Sequence, residues 1–244
     1  MRNLHLILQY DGTNYHGFQI QPNVITIAGE LNRVLSNLTN SDVIVQGCSR
    51  TDAGVHAFRY SCNFHTEFPI PADRLPVVLN NMLPDDIIAI SCVEVEPGFN
   101  SRFDTVSKTY KYIINTSKNA TVYTRNYEWQ YSKNLDVSKM KQACQYFVGE
   151  FDFKSFMTSG SQVSTTVRRV NYLNIFHNED KIEIYINADG YLYNMVRIIT
   201  GTLVSVGEGK ISPEEIPLII QAKDREKAGP TAPPQGLYLY EINY

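Results

Sequence analysis

The 244-residue chain is poor in several features that would announce a function. It has four cysteines, Cys48, Cys62, Cys92 and Cys144, and no two stand in a C-x-x-C pair. A chain this long does not depend on disulfide staples, so these read as reduced thiols of a cytoplasmic protein. Five histidines show no metal-ligand spacing such as H-E-x-x-H, which argues against a zinc site. No apolar run approaches the roughly 20 residues a membrane helix needs. Met1 to Tyr10 alternates, which suits a strand and not a signal peptide. An excess of positive charge is also missing: 22 Lys and Arg face 25 Asp and Glu, a formal net charge of -3. That excludes a uniformly basic nucleic-acid coat but not a local basic surface. A single Trp stands beside 16 Tyr, and Tyr can stack on bases as well as pack.

What is present is a globular composition, with 43% hydrophobic and 19% charged residues. Leu4, Leu6, Leu8 and Tyr10 alternate with polar neighbours and predict a strand. A helical stripe of Leu31, Val34, Leu35 and Leu38 follows over 28–38. Short strands are expected over 43–45 and 60–64, then a second stripe of Leu75, Val78, Leu79 and Met82. A strand over 87–95 closes the first half. The second half repeats the order: a strand over 109–115, then a helix capped by Asp136. A hairpin turns at 177–180, and an apolar helix covers 191–206. Another helix starts from the Ser212-Pro213-Glu214-Glu215 cap, and a strand over 237–242 ends the pattern. Two βαββαβ units predict an α+β fold of two ferredoxin-like halves, 1–98 and 99–244, sharing one antiparallel sheet with helices packed on it. Glu96-Pro97-Gly98 at the join has helix breakers but no polar linker, which favours one continuous body over two separate domains.

Charge is uneven. From Glu67 to Glu96 there are six acids and one base; from Pro97 to Arg125, five bases and one acid. Residues 154–178 add Lys154, Arg168 and Arg169 with no acid. The overall negative charge thus conceals basic stretches, which surface scatter also produces.

The segment Gly47 to Ala57 holds Arg50 and Asp52 among small residues, between two strands. Asp52 before Ala53-Gly54 reads as a turn carboxylate that bonds nearby backbone. The functional alternative is an oriented carboxylate open to a ligand, and such a group is a nucleophile. Arg197 is the only charged residue between Tyr191 and Gly207. A guanidinium on a helix apolar almost all round needs an anion. Asp52 is one candidate partner, whose ionised form the pairing would favour; other acids could serve. Tyr110 and Tyr112 share one face of their strand, with Lys111 on the other, and suit sheet packing or base stacking.

Several runs together resemble the tRNA pseudouridine synthase A (TruA) family. They are Tyr10 to Gln19, Arg50-Thr51-Asp52-Ala53-Gly54-Val55-His56-Ala57, Phe99 to Phe103 with Lys108 to Tyr112, Gly149 to Phe156, Met195-Val196-Arg197, and Thr231 to Leu237. The likeness covers nearly the whole chain. It implies the pseudouridine synthase fold, with an active-site cleft between the halves. It implies isomerisation of uridine to pseudouridine at positions 38, 39 and 40 of the tRNA anticodon stem-loop, by a homodimer using no cofactor or metal. Carried over residue by residue, Asp52 would be the nucleophile, attacking C1′ or C6. Tyr110 would stack on the uracil and is a candidate base, and Arg197 would pair with Asp52. Arg50 would fill the space left by the flipped nucleotide. Leu237 would line the pocket, while Arg102, Lys108, Lys111, Arg168 and Arg169 would hold phosphates. Phe18, Ala28, Asn100, Ser101 and Met157 depart from residues frequent in the family; the changes at 100 and 157 touch RNA contacts. A nucleoside or glycoside hydrolase is a competing reading, but such enzymes usually need two carboxylates and the loop supplies one. A non-catalytic RNA-binding module would explain the tyrosines and bases, not the framed Asp52.

Overall fold

In the computed structural model, residues 1–158, 160 and 163–244 are described. The strands, in chain order, are β1 (Arg2–Tyr10), β2 (Gln46–Gly47), β3 (His56–Thr66), β4 (Ile87–Val95), β5 (Ser107–Asn115), β6 (Trp129–Gln130), β7 (Gly149–Asp152), β8 (Val167–Asn178), β9 (Lys181–Ala188) and β10 (Leu237–Asn243). The α-helices are α1 (Ile27–Thr39), α2 (Leu75–Asn80), α3 (Val137–Cys144), α4 (Met195–Gly207) and α5 (Ile216–Ala222). They form two compact units, Met1–Val106 with Tyr238–Tyr244, and Ser107–Leu237.

In the first unit β1 is central and antiparallel to both β3 and β4. Leu4, Leu6 and Leu8 are wholly buried, as their alternation predicts. The second edge of β3 carries β2 at Cys62 and Asn63, and β10, in parallel, at His56 and Ala57. The order β4-β1-β3-β2 with α1 and α2 inserted is that of a ferredoxin-like βαββαβ unit. Helix α1 starts where the Thr26 hydroxyl accepts the Gly29 amide, and stops at Asn40, which adopts φ 51°.

The strand expected over 43–45 does not form. Val43 and Val45 are buried and Ile44 is exposed, as alternation requires. Their amides, however, bond to α1 side chains, Val43 N–H to Ser36 Oγ at 2.9 Å and Val45 N–H to Asn32 Oδ1 at 3.0 Å. With those donors satisfied, ladder pairing begins only at Gln46. Helix α2 ends at Asn80, two residues short of Met82, which is exposed. Beyond Gly98 the chain stays on the first unit. Asn3 Nδ2 donates to Phe99 O at 2.9 Å, the Ser101 amide to Asn63 Oδ1 at 2.8 Å, and the Val106 amide to Asn243 O at 2.8 Å.

In the second unit the order is β5-β9-β8-β7, antiparallel throughout, and β6 pairs in parallel with the end of β5. Asp136 caps α3 by accepting the Lys139 amide at 3.1 Å. The Ser212 cap forms with its reciprocal Glu215 bond, although the first turn is a 3₁₀ turn and α5 begins at Ile216. The apolar helix begins four residues later than its pattern suggests. Asn194 takes φ 61°, which a continuous α-helix does not allow, so α4 starts at Met195. Helix α3 packs along α4 and covers β8.

Candidate active site

The Cys48–Val55 loop leaves β2 and returns as β3, and the first unit holds it from both sides. The Cys48 amide donates to Ser61 O at 2.9 Å. The Tyr60 phenol, fully buried, donates to Ser49 O. Burial pushes that phenol well up, so it remains a donor. The Tyr10 and Thr51 hydroxyls lie 2.8 Å apart, and the Phe18 amide donates to Thr51 O at 3.2 Å. Beyond Asp52, the Gly54 amide donates to Tyr15 O and the Val55 amide to Asp52 O, each at 3.2 Å. Asp52 is half-buried and Arg50 is exposed.

This clamp explains two glycines of the loop after β1. A Cβ on Gly12 would sit 2.0 Å from Val55 O. Gly17 has φ +84°, and a Cβ there would sit 2.3 Å from Thr51 O. The Gly12 amide donates to His56 Nδ1 at 3.0 Å, and the same nitrogen lies 3.1 Å from Asp11 Oδ1. Phe18 stacks on Tyr60 with centroids 4.3 Å apart. Residues 10–19 are therefore the floor of the Asp52 loop. The sequence alone marks that run only as a first strand with its following loop, and Tyr60 only as the start of a strand. The signal was there in two glycines five apart, beside a second glycine-bearing loop.

In the second unit, Arg197 lies on the first turn of α4 and is half-buried, the only α4 residue not fully buried. Its Nε donates to Ala232 O at 2.8 Å and its Nη1 to Asn194 Oδ1 at 2.7 Å, while the Ala232 amide donates to Arg197 O at 3.0 Å. The αL turn at Asn194 thus starts the helix and presents an acceptor to the guanidinium. The 228–236 segment is laced tightly to α4 and β5. A Cβ on Gly201 would lie 1.7 Å from Pro230 O, and the Gly229 amide donates to Thr202 Oγ1 at 2.9 Å. Tyr112 donates to Pro233 O at 2.7 Å. Burial pushes the Tyr112 phenol well up, and the nearby Arg197 charge opposes that rise. Leu237, at the end of this segment, is buried.

Tyr110 is buried in β5, its ring edge-on to Tyr191 at 4.9 Å. Tyr191 donates to Lys108 O and Ile186 O at 2.8 and 2.9 Å. Burial pushes its phenol well up, so it remains a donor. The basic residues differ in their engagements. Lys111 is paired with Glu183 at 2.7 Å and lies 5.4 Å from the Tyr185 ring centroid. Arg169 meets Glu150 at 3.1 Å on the surface. Arg168 donates to Thr165 O at 3.0 Å. Arg102 is exposed beside the Phe103 ring. Asn100 Nδ2 donates to Gln46 Oε1 at 2.8 Å and its side-chain Oδ1 accepts the Arg102 amide at 2.9 Å, so this departure from the family pattern has a structural job.

The four cysteines are buried free thiols. Among the described residues, no three His, Cys, Asp or Glu side chains are grouped to hold a metal ion, and no helix is long and apolar enough to cross a membrane.

The first unit thus fixes one carboxylate in a pinned loop, and the second carries an aromatic strand and a helix-borne arginine. The tRNA pseudouridine synthase family model matches residues 6–104 and 143–244. The tRNA pseudouridine synthases A of Caldicellulosiruptor bescii and Thermoanaerobacter pseudethanolicus are each 48% identical to this chain over 244 residues, covering all of both proteins. That of Clostridium acetobutylicum is 45% identical, again end to end. The chain belongs to the tRNA pseudouridine synthase family.

Proposed function

We propose that the chain isomerises uridine to pseudouridine at positions 38, 39 and 40 of the tRNA anticodon stem-loop. Full-length identity of 48% to tRNA pseudouridine synthases A carries the reaction. The resemblance of the Arg50–Ala57 and Met195–Arg197 runs carries the positions and residue roles. In this reading Asp52 is the nucleophile. Its carboxylate adds at C1′, displacing N1, or at C6 of the ring; by either route the C1′–N1 bond breaks, the uracil turns, C5 bonds to C1′ and the carboxylate is released. The C5 proton is then lost and N1 regains one, so the net change is an isomerisation. Asp52 is suited to this by its half-buried place in a loop pinned on both sides, because a fixed carboxylate loses little freedom on reaction. Tyr110 stacks on the uracil and is the candidate acceptor of the C5 proton. Arg197 pairs with Asp52 and keeps it ionised. Arg50, exposed beside Asp52, holds the space of the extruded nucleotide. Leu237 lines the pocket.

Phosphate contacts fall to Arg102, Lys108, Lys111, Arg168 and Arg169, with Lys111 and Arg169 exchanging their carboxylate partners for phosphate. The family resemblance extends to a cytoplasmic homodimer that needs no cofactor or metal, with the 1–98 and 99–244 halves sharing the work; sedimentation of the purified chain tests the dimer. The decisive assay uses a tRNA transcript labelled with tritium at C5 of uridine. Stoichiometric tritium release with pseudouridine mapped to positions 38–40 is expected. Free uracil as the main product, or pseudouridine only elsewhere, contradicts the proposal.

A further inference from the structure

The hydrogen bonds beneath the Asp52 loop are not equivalent. Ser49 and Gly54 are held through backbone atoms that any residue would offer. Thr51, adjacent to Asp52, is held through its side chain as well. Its Oγ1 lies 2.8 Å from Tyr10 OH, both atoms buried, and its carbonyl accepts the Phe18 amide. Thr51 is 7% exposed and Tyr10 3%. The strand itself is modified to make this contact. Along β1 and β3 the register runs evenly from Arg2↔Thr66 to Leu8↔Tyr60, then slips so that Tyr10 faces Ala57. One extra β3 residue is accommodated there, and bulges of this kind re-aim side chains next to functional sites. The Tyr60 ring, 5.5 Å from that of Tyr10, fills the space alongside.

We propose that Tyr10 is a positioning residue for the isomerisation, acting through the Thr51 hydroxyl to fix the backbone and direction of Asp52. The inference rests on the reading of Asp52 as the nucleophile. A β-branched Thr has few χ1 states. Locking its hydroxyl leaves the next residue little freedom, and small misplacements of a reacting group are costly to rate. A purely structural pair would behave differently. Removing both hydroxyls of a buried pair costs less stability than removing one, which strips the other of this bond.

The test is a cycle of Tyr10→Phe, Thr51→Val and the double variant, measured for kcat, KM with tRNA and thermal unfolding. Each single change is expected to lower kcat by about 10- to 100-fold with KM within about twofold. The double variant should be no slower than the slower single one, even though its stability returns towards that of the parent. Thr51→Ser keeps the oxygen and should recover most of the kcat that Thr51→Val loses. The inference is overturned if kcat per folded molecule is unchanged in Tyr10→Phe. Multiplying losses in the double variant, or a Thr51→Ser protein as slow as Thr51→Val, would overturn it too. Should Tyr10→Phe not fold, the Ser and Val variants at 51 decide alone. Asp52→Asn separates the two levels: an active Asp52→Asn protein removes the nucleophile reading, while an inactive one beside a fully active Tyr10→Phe removes only the role of Tyr10.

Discussion

The Asp52 loop and the Arg197 turn solve the same problem, fixing one charged side chain, by different means. Asp52 sits in irregular backbone, so neighbouring residues must supply the order. Two phenols and three backbone amides hold the loop, and glycines 12 and 17 let a second loop come within contact of it. Arg197 sits on a regular helix whose backbone needs no help. Order is spent there on the side chain, which Asn194 and the Ala232 carbonyl grip directly. The contrast teaches where each site is vulnerable: the first through residues that never touch the carboxylate, the second through the packing of α4 against the segment that supplies Ala232.

That difference can be broken from either side. Gly201→Ala forces a Cβ to within 1.7 Å of the Pro230 carbonyl, which only backbone movement can relieve. A loss of about 3 kcal/mol is expected in denaturant unfolding, whereas Gly98→Ala, with nothing within 4 Å, should cost well under 1 kcal/mol. Arg197→Met should lower kcat by about 30-fold, some 2 kcal/mol, with tRNA affinity held nearly constant in filter binding. A defect confined to binding would remove the proposed pairing with Asp52. Tyr112→Phe deletes the bond to Pro233 O and should cost about 1 kcal/mol of stability. Lys111→Gln should be smallest in stability, about 0.5 kcal/mol, because a partly exposed pair with Glu183 contributes little. A flatter salt dependence of tRNA binding in that variant would show that Lys111 also reaches phosphate.

Much of the framework was legible because it follows local rules. The alternation of β1, the span of β4, the Asp136 cap and the Ser212 box all stand as read. What escaped depended on non-local facts. Ser36 and Asn32 take the amides of Val43 and Val45 only because α1 lies beside them. Asn194 breaks the apolar run before Met195 through a left-handed φ that an apolar pattern does not encode. At the site, the Asp52 loop was visible as a turn with an unusual Arg and Asp. The Tyr60 bond to Ser49 was invisible, since a Tyr in an apolar strand looks like packing. The Ala232 grip on Arg197 joins residues 35 apart and has no sequence period at all.

The most direct measurement is single-turnover tritium release from C5-labelled tRNA by Asp52→Asn at saturating enzyme, beside an independent measure of binding. The amide nearly preserves the shape of the carboxylate and removes its charge, so tRNA should still bind with affinity close to that of the parent. Release should fall by at least about 1,000-fold, the scale expected when a covalent nucleophile is lost. Release at the parental rate by a folded, tRNA-bound Asp52→Asn protein would contradict the assignment of Asp52 as the nucleophile.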